Sequence, residues 1–95
     1  MDKKPQESLL DSFLGHAVVV DFRSTYVCLG NLAAYDAEFF DLRDADLHDF
    51  RDGKATREVY IFESVHLGIR RNRSRVLVRR EEVVAVALLR DVLES

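Results

Sequence analysis

The stretch AVVVDFRSTYVCLGNLAAY, residues 17 to 35, switches sides at nearly every residue. Val18, Val20 and Phe22 fall on one face of an extended chain, and Val19, Asp21 and Arg23 on the other. A polar turn at Arg23-Ser24-Thr25 separates this run from a second one, in which Cys28, Gly30 and Leu32 are in phase. Two period-two runs joined by a short turn predict an antiparallel hairpin. Gly30 inside the second run removes a side chain where a sheet bends sharply or another backbone comes close. A small closed barrel has that requirement at its corners.

The flanking segments extend this pattern. SLLDSFLGH predicts a short helix, with Leu9, Leu10, Phe13 and Leu14 at helical spacing, Ser8 as its cap and Gly15 at its end. In FFDLRDADLHDF, Phe40 and Leu42 share a phase that Leu47 and Phe50 leave, so a bulge or strand end is expected near Ala45. RDGK reads as a turn. ATREVYIFESVHLGI reads as a helix with a stripe of Val59, Phe62, Val65 or His66, and Ile69, capped by Thr56 and stopped by Gly68. RNRS is a tight basic turn, followed by strands 76–79 and 83–88 around a charged turn at Arg80 and Glu81. The expected fold is mainly β: an N-terminal helix, five short antiparallel strands in a strongly bent barrel, and an enlarged connection before strand four. Residues 1–7 are expected to be a disordered tail, and 8–92 a single domain with an insertion at about 45–75.

With 95 residues, the chain buries a modest core of its own. Its net charge of −3 does not favour a general polyanion binder, but the charge is segregated. Asp36, Glu38, Asp41, Asp44, Asp46, Asp49 and Asp52 crowd one segment; Arg70, Arg71, Arg73, Arg75, Arg79 and Arg80 crowd another. The second cluster reads as a phosphate-binding patch or as solvated turn charge. Cys28 is the only cysteine, which excludes an internal disulfide or a thiolate metal cluster. His16, His48 and His66 are scattered, and no serine or cysteine sits in a nucleophile context. No enzyme activity, cofactor or metal is therefore expected. The apolar runs are short of a membrane span and no signal peptide opens the chain, so a cytoplasmic protein without a membrane partner is expected.

LGHAVVVDFRSTYVCLGNLAAYD resembles the first motif of the Sm/LSm family, ring-forming RNA-binding proteins, with Leu14, Gly15, Val18, Val20, Phe22, Gly30, Leu32 and Asp36 in register. After one extra residue, Phe39, Phe40 and Asp41 stand where the family has an aromatic or histidine, an apolar residue and an asparagine. VLVRREEVVAV is similar to the second motif, with Val78 and Arg79 matching and Arg80 in place of the usual glycine. The likeness covers roughly residues 9–44 and 76–88.

The resemblance implies an Sm-like (SH3-type) barrel assembled as a homo-oligomeric ring, a hexamer or heptamer by family habit. It also implies a pore-side pocket for one nucleotide of single-stranded RNA per subunit. Carried over by position, Phe39 stacks on a base, Arg79 covers its other face or meets a phosphate, residue 41 reads the base edge, and Asp36 orients its neighbours. Arg80 adds positive charge beside the pocket, at a position where glycine implies a backbone geometry costly for other residues. Each residue also has a structural reading: Phe39 as core or subunit contact, Arg79 as a bridge to the Asp36–Asp41 acids, Asp36 as a loop anchor. Asp41, unlike asparagine, only accepts hydrogen bonds and repels phosphate. The rival function is a ring-forming or protein-interaction module that binds no nucleic acid.

Overall fold

The computed structural model describes residues 8–52 and 56–93. The expected tail 1–7 and part of the RDGK turn lie outside the described residues. Five strands form one antiparallel sheet: β1 (Ala17–Phe22), β2 (Tyr26–Tyr35), β3 (Phe39–Asp49), β4 (Arg73–Arg79) and β5 (Val83–Leu88). Their order across the sheet is β4-β3-β2-β1-β5. The two edge strands are thus consecutive in the chain, linked only by the 3-10 turn Arg80–Glu82. In a flat sheet the edges would lie about 19 Å apart, at about 4.8 Å per strand. The link from Arg79 to Val83 spans at most about 14 Å. The sheet must therefore curl, and the link is tied to both sides. Arg80 N–H donates to the Glu38 carbonyl (2.8 Å) and Arg23 N–H to that of Glu82 (2.9 Å).

Curvature is built in at Gly30. Leu29 pairs with Asp46 and Asn31 with Arg43, so Asp44 and Ala45 together face the glycine. Asp44 takes φ 50°, a left-handed conformation that aspartate tolerates better than most residues. A Cβ on Gly30 would stand 3.0 Å from Ala45 Cβ and 3.2 Å from both Ala45 Cα and the Arg43 carbonyl oxygen. The bulge expected near Ala45 is present, and β3 continues through it to Asp49.

The interior holds Val18, Val20, Cys28, Leu32, Phe40, Leu42, Ala45, Val78 and Leu88. Leu10 and Phe13 of the N-terminal segment plug one end. That segment is a 3-10 helix, Leu9–Phe13, with Ser8 Oγ accepting from Leu10 N–H (3.0 Å). Only half of the expected stripe is used, since Leu9 and Leu14 remain exposed. Burial pushes the Cys28 thiol up to about 12, the acid Asp46 adding to the effect, so it behaves as a small hydrophobe.

A second cluster, Val19, Val27 and Leu29, lies on the outer face and is covered by helix α1 (Arg57–Leu67) through Ile61. Thr56 and Gly68 delimit α1 as expected: Thr56 Oγ1 accepts from Val59 N–H (3.2 Å), and Gly68 adopts φ 91°. The buried face differs from the expected one. Ile61 and Ser64 are inward, with Tyr60 packed alongside, whereas Val59 and Val65 are 44% and 39% exposed. Polar handles set this rotation. Arg57 binds Asp21, and Tyr60 Oη donates to Asp46 (2.5 Å) while its ring stacks on His48 at 4.3 Å. The expected insertion at 45–75 narrows to residues 50–72, because β3 and β4 extend into it from both ends.

β4 begins at Arg73 rather than Val76. Asn72 starts it with its side chain: Oδ1 accepts from Leu47 N–H (3.0 Å) and Nδ2 donates to the Leu47 carbonyl (3.1 Å). The amide thus extends the β3–β4 ladder by imitating a backbone peptide. RNRS is therefore a strand entry and not a tight turn.

Candidate nucleic-acid interface

The acidic and basic segments meet on β3 and β4, and their cross-strand pairing builds the surface that carries the candidate site. Phe39 pairs directly with Arg79, and Asp41 with Leu77. At the end of this ladder the β2–β3 turn is held by Asp36. Its Oδ1 accepts the N–H groups of Glu38 (2.8 Å) and Phe39 (2.7 Å), and its own N–H donates to the Phe39 carbonyl (3.0 Å). The two backbone donors, helped by Arg80, hold the Asp36 carboxyl below the usual carboxylate range. This is the loop-anchor role, and it sets the angle at which Phe39 leaves the turn.

Phe39 and Arg79 line one pocket of about 210 Å³ together with Ala37, Glu38 and Glu81. Phe39 is half-buried, leaving part of its ring accessible. Arg79 pairs with Glu81 (2.9 Å), both side chains two-thirds exposed, and not with the Asp36–Asp41 acids. An exposed pair of this kind is worth little and separates readily. The pocket therefore offers an aromatic edge or face and a guanidinium that an incoming anion or π-system can recruit.

Arg80 lies in an adjoining pocket with Ser8, Tyr35, Asp36 and Ala37. Its Nη1 donates to the Asp36 carbonyl (2.5 Å), and its guanidinium carbon sits 5.1 Å from the Phe40 ring centroid and 5.8 Å from that of Tyr35. Among the described residues the only non-glycine with positive φ is Asp44, so Arg80 takes an ordinary helical-turn conformation without strain. The backbone cost expected from the missing glycine does not arise. Arg80 instead locks the Asp36 turn from the far side.

Asp41 is separate from both pockets. Its carboxylate is gripped by Arg43 (2.9 and 3.1 Å) and Arg75 (3.1 and 3.2 Å). These two forks, Arg43 foremost, draw its pKa down to about 2. Both of its oxygens are committed, so residue 41 faces a base edge only after releasing an arginine. The structure thus brings Phe39 with Arg79 and Asp36 with Arg80 into neighbouring pockets and sets Asp41 apart. Sequence reasoning missed Arg43 and Arg75. Their signal was the matched acid and arginine content of segments flanking a predicted antiparallel pair.

The surrounding basic cluster is largely engaged as well. Arg71 faces Asp44 (3.5 Å) and Arg75 faces Asp41, whereas Arg70 and Arg73 meet no carboxylate among the described residues. No group of histidine, cysteine and acidic residues fit to hold a metal ion occurs among the described residues. Nor is any described helix long and apolar enough to cross a membrane.

This architecture defines a small, strongly bent five-stranded barrel whose β4 and β5 edges are both open. The chain has the Sm-like fold, as comparison with solved structures shows. An Sm protein from Pyrococcus abyssii in complex with a uridine heptamer superposes with TM-score 0.59 at 17% identity, covering 90% of this chain and 99% of that one. The SmAP (LSm) protein from Methanococcus vannielii gives TM-score 0.57 at 19% identity, covering 93% and 100%. A chain of the NatC complex bound to CoA gives TM-score 0.56 at 20% identity, covering 93% and 88%. No family model matches the sequence, and no curated protein matches it. The resemblance drawn from residues 9–44 and 76–88 is borne out at the level of the fold.

Proposed function

We propose that this chain forms a homo-oligomeric Sm-like ring that binds single-stranded RNA, one nucleotide per subunit, in the pocket of Phe39 and Arg79. The carrying observation is their direct cross-strand pairing beside a turn that Asp36 and Arg80 rigidify. A base held between an aromatic ring and a guanidinium gains about 1–3 kcal/mol from stacking. Repetition around a ring multiplies this through avidity. Ring closure accounts for the two unpaired edges, where Leu77 and Val84 are 51% and 69% exposed. A hexamer or heptamer working in the cytoplasm is the form this reading takes. The likeness to a uridine-bound Sm protein supports it.

A second reading has its own support. Asp41 is held between arginines where the family offers an asparagine, and one neighbour in fold is a chain of a multi-protein complex. Both favour a protein-interaction module. Fluorescence anisotropy with short homopolymer RNAs at low and high salt separates the two. Steeply salt-dependent binding that Phe39→Ala removes supports RNA, whereas no binding at low salt leaves the interaction module.

A further inference from the structure

We infer that Glu38 reads the edge of the bound base and turns the pocket of Phe39 and Arg79 toward guanine. The inference rests on the RNA reading above and names the base which that reading leaves open. Phe40 and Val78 point into the barrel, so their neighbours Phe39 and Arg79 project together from the outer face. Ala37, Glu38 and Glu81 complete the lining of the same pocket. An incoming base therefore meets an aromatic ring, a guanidinium and two carboxylates.

The acids of this region differ in what they have left to offer. Asp41 is closed off by Arg43 and Arg75, and Asp36 Oδ1 is taken by the N–H groups of Glu38 and Phe39. Glu81 holds Arg79 at 2.9 Å. The Glu38 side chain has no partner among the described residues. Its backbone, in contrast, is fixed on both sides: the N–H donates to Asp36 Oδ1 (2.8 Å) and the carbonyl accepts from Arg80 N–H (2.8 Å). The second bond ties the β2–β3 turn to the Arg80–Glu82 turn. Glu38 is thus anchored beside Phe39 with both carboxylate oxygens open.

An ionised carboxylate only accepts hydrogen bonds, through two oxygens side by side. Among the RNA bases guanine matches that pattern, because N1–H and an amino N2–H stand next to each other on its Watson–Crick edge. Adenine and cytosine place a ring-nitrogen acceptor beside the amino group, and uracil flanks its single N3–H with two carbonyls. Each of these turns a lone pair toward Glu38. Stacking uses the face of the Arg79 guanidinium and leaves its in-plane N–H groups with Glu81, so that ion pair survives entry of the base. Glu38 also repels phosphate, which weakens every RNA alike. What it changes selectively is the ratio between bases.

Anisotropy titrations at low salt test this with short labelled RNAs of equal length: oligo(U), oligo(A), alternating A–G and alternating A–inosine. Inosine lacks the N2 amino group of guanosine, so the last two strands differ by one hydrogen bond to Glu38. We expect wild type to bind the A–G strand about fivefold or more tightly than the A–inosine or uridine strand. Glu38→Gln, whose amide offers one donor and one acceptor, should erase that preference and strengthen oligo(U). Glu81→Gln removes the same charge from the same pocket and should keep the preference. Both substitutions fall on exposed side chains, and each variant is first checked for unchanged melting. No binding of any strand by wild type defeats the RNA reading itself. Binding without the A–G preference, or a preference that survives Glu38→Gln or is lost equally in Glu81→Gln, overturns the guanine contact and leaves RNA binding intact.

Discussion

Asp41 and Arg75 stand on neighbouring strands, and the guanidinium fork of Arg75 meets both carboxylate oxygens of Asp41, at 3.1 and 3.2 Å. The ion pair joins the acidic segment of the sequence to the basic one. Charge that is segregated along the chain is thereby neutralised across β3 and β4, because antiparallel pairing folds one segment back upon the other. Arg43 closes the same carboxylate from its own strand. The arrangement makes residue 41 a structural anchor between β3 and β4.

Asp41→Asn should lower stability by about 1 kcal/mol at neutral pH, a value that allows for screening of the half-exposed arginines. The folded pKa of about 2 lies below that of a free aspartate, so the fold favours the ionised form. The contribution is full above roughly pH 5 and drains away as pH falls toward 2. Urea unfolding from pH 7 down to pH 3 should show wild type and variant converging. A gap that stays constant over that range would mean that the ion pairs contribute nothing.

The same substitution bears on RNA. Removing a carboxylate two residues along β3 from Phe39 and freeing two guanidiniums should tighten binding of short RNAs and steepen its salt dependence. Phe39→Ala should weaken binding by roughly fivefold to a hundredfold per occupied pocket, from a stacking loss of about 1–3 kcal/mol. Anisotropy titrations check both. Equal affinities for wild type and Phe39→Ala would remove Phe39 from the interface.

Gly30→Val should cost about 1–3 kcal/mol, the range for overpacking a rigid site. The added carbon meets Ala45 Cβ and Cα and the Arg43 carbonyl oxygen, none of which can rotate aside as the end of a flexible side chain would. Chemical denaturation should show the full loss in midpoint with an unchanged slope. A neutral result would place the bend elsewhere.

Asn72→Ala should cost about 0.5–1.5 kcal/mol, because it removes both hydrogen bonds to Leu47 and leaves its N–H and C=O to water. Hydrogen exchange at the Leu47 amide should speed up well before global unfolding. Asn72→Asp keeps the acceptor and loses the donor, and should fall between the two.

Much of the fold was legible in the residues. Period two over 17–35, the glycine at 30, the phase break near Ala45, and the Thr56 and Gly68 boundaries of the helix are all local signals, and each is present in the structure. The face of α1 was not legible in the same way. The stripe Val59–Phe62–Val65 is the more apolar, but Arg57 and Tyr60 find partners on the outer sheet face that a sequence does not bring into view. Asn72 was hidden for a related reason, since an amide that replaces a strand residue has no pattern of its own.

The candidate site divides along the same line. Phe39, Arg79, Asp36 and Arg80 could be named from motif positions, because their backbone places follow from strand phase and turn length. The commitment of Asp41 to Arg43 and Arg75 could not, since Arg75 lies a whole inserted helix away along the chain. By itself the sequence determined which residues lie in strands and on which face, for those choices follow from alternation within a few neighbours. Only the tertiary structure decided which charges cancel, which helix face is buried and which edges stay open. Those outcomes depend on distances between segments that alternation does not encode.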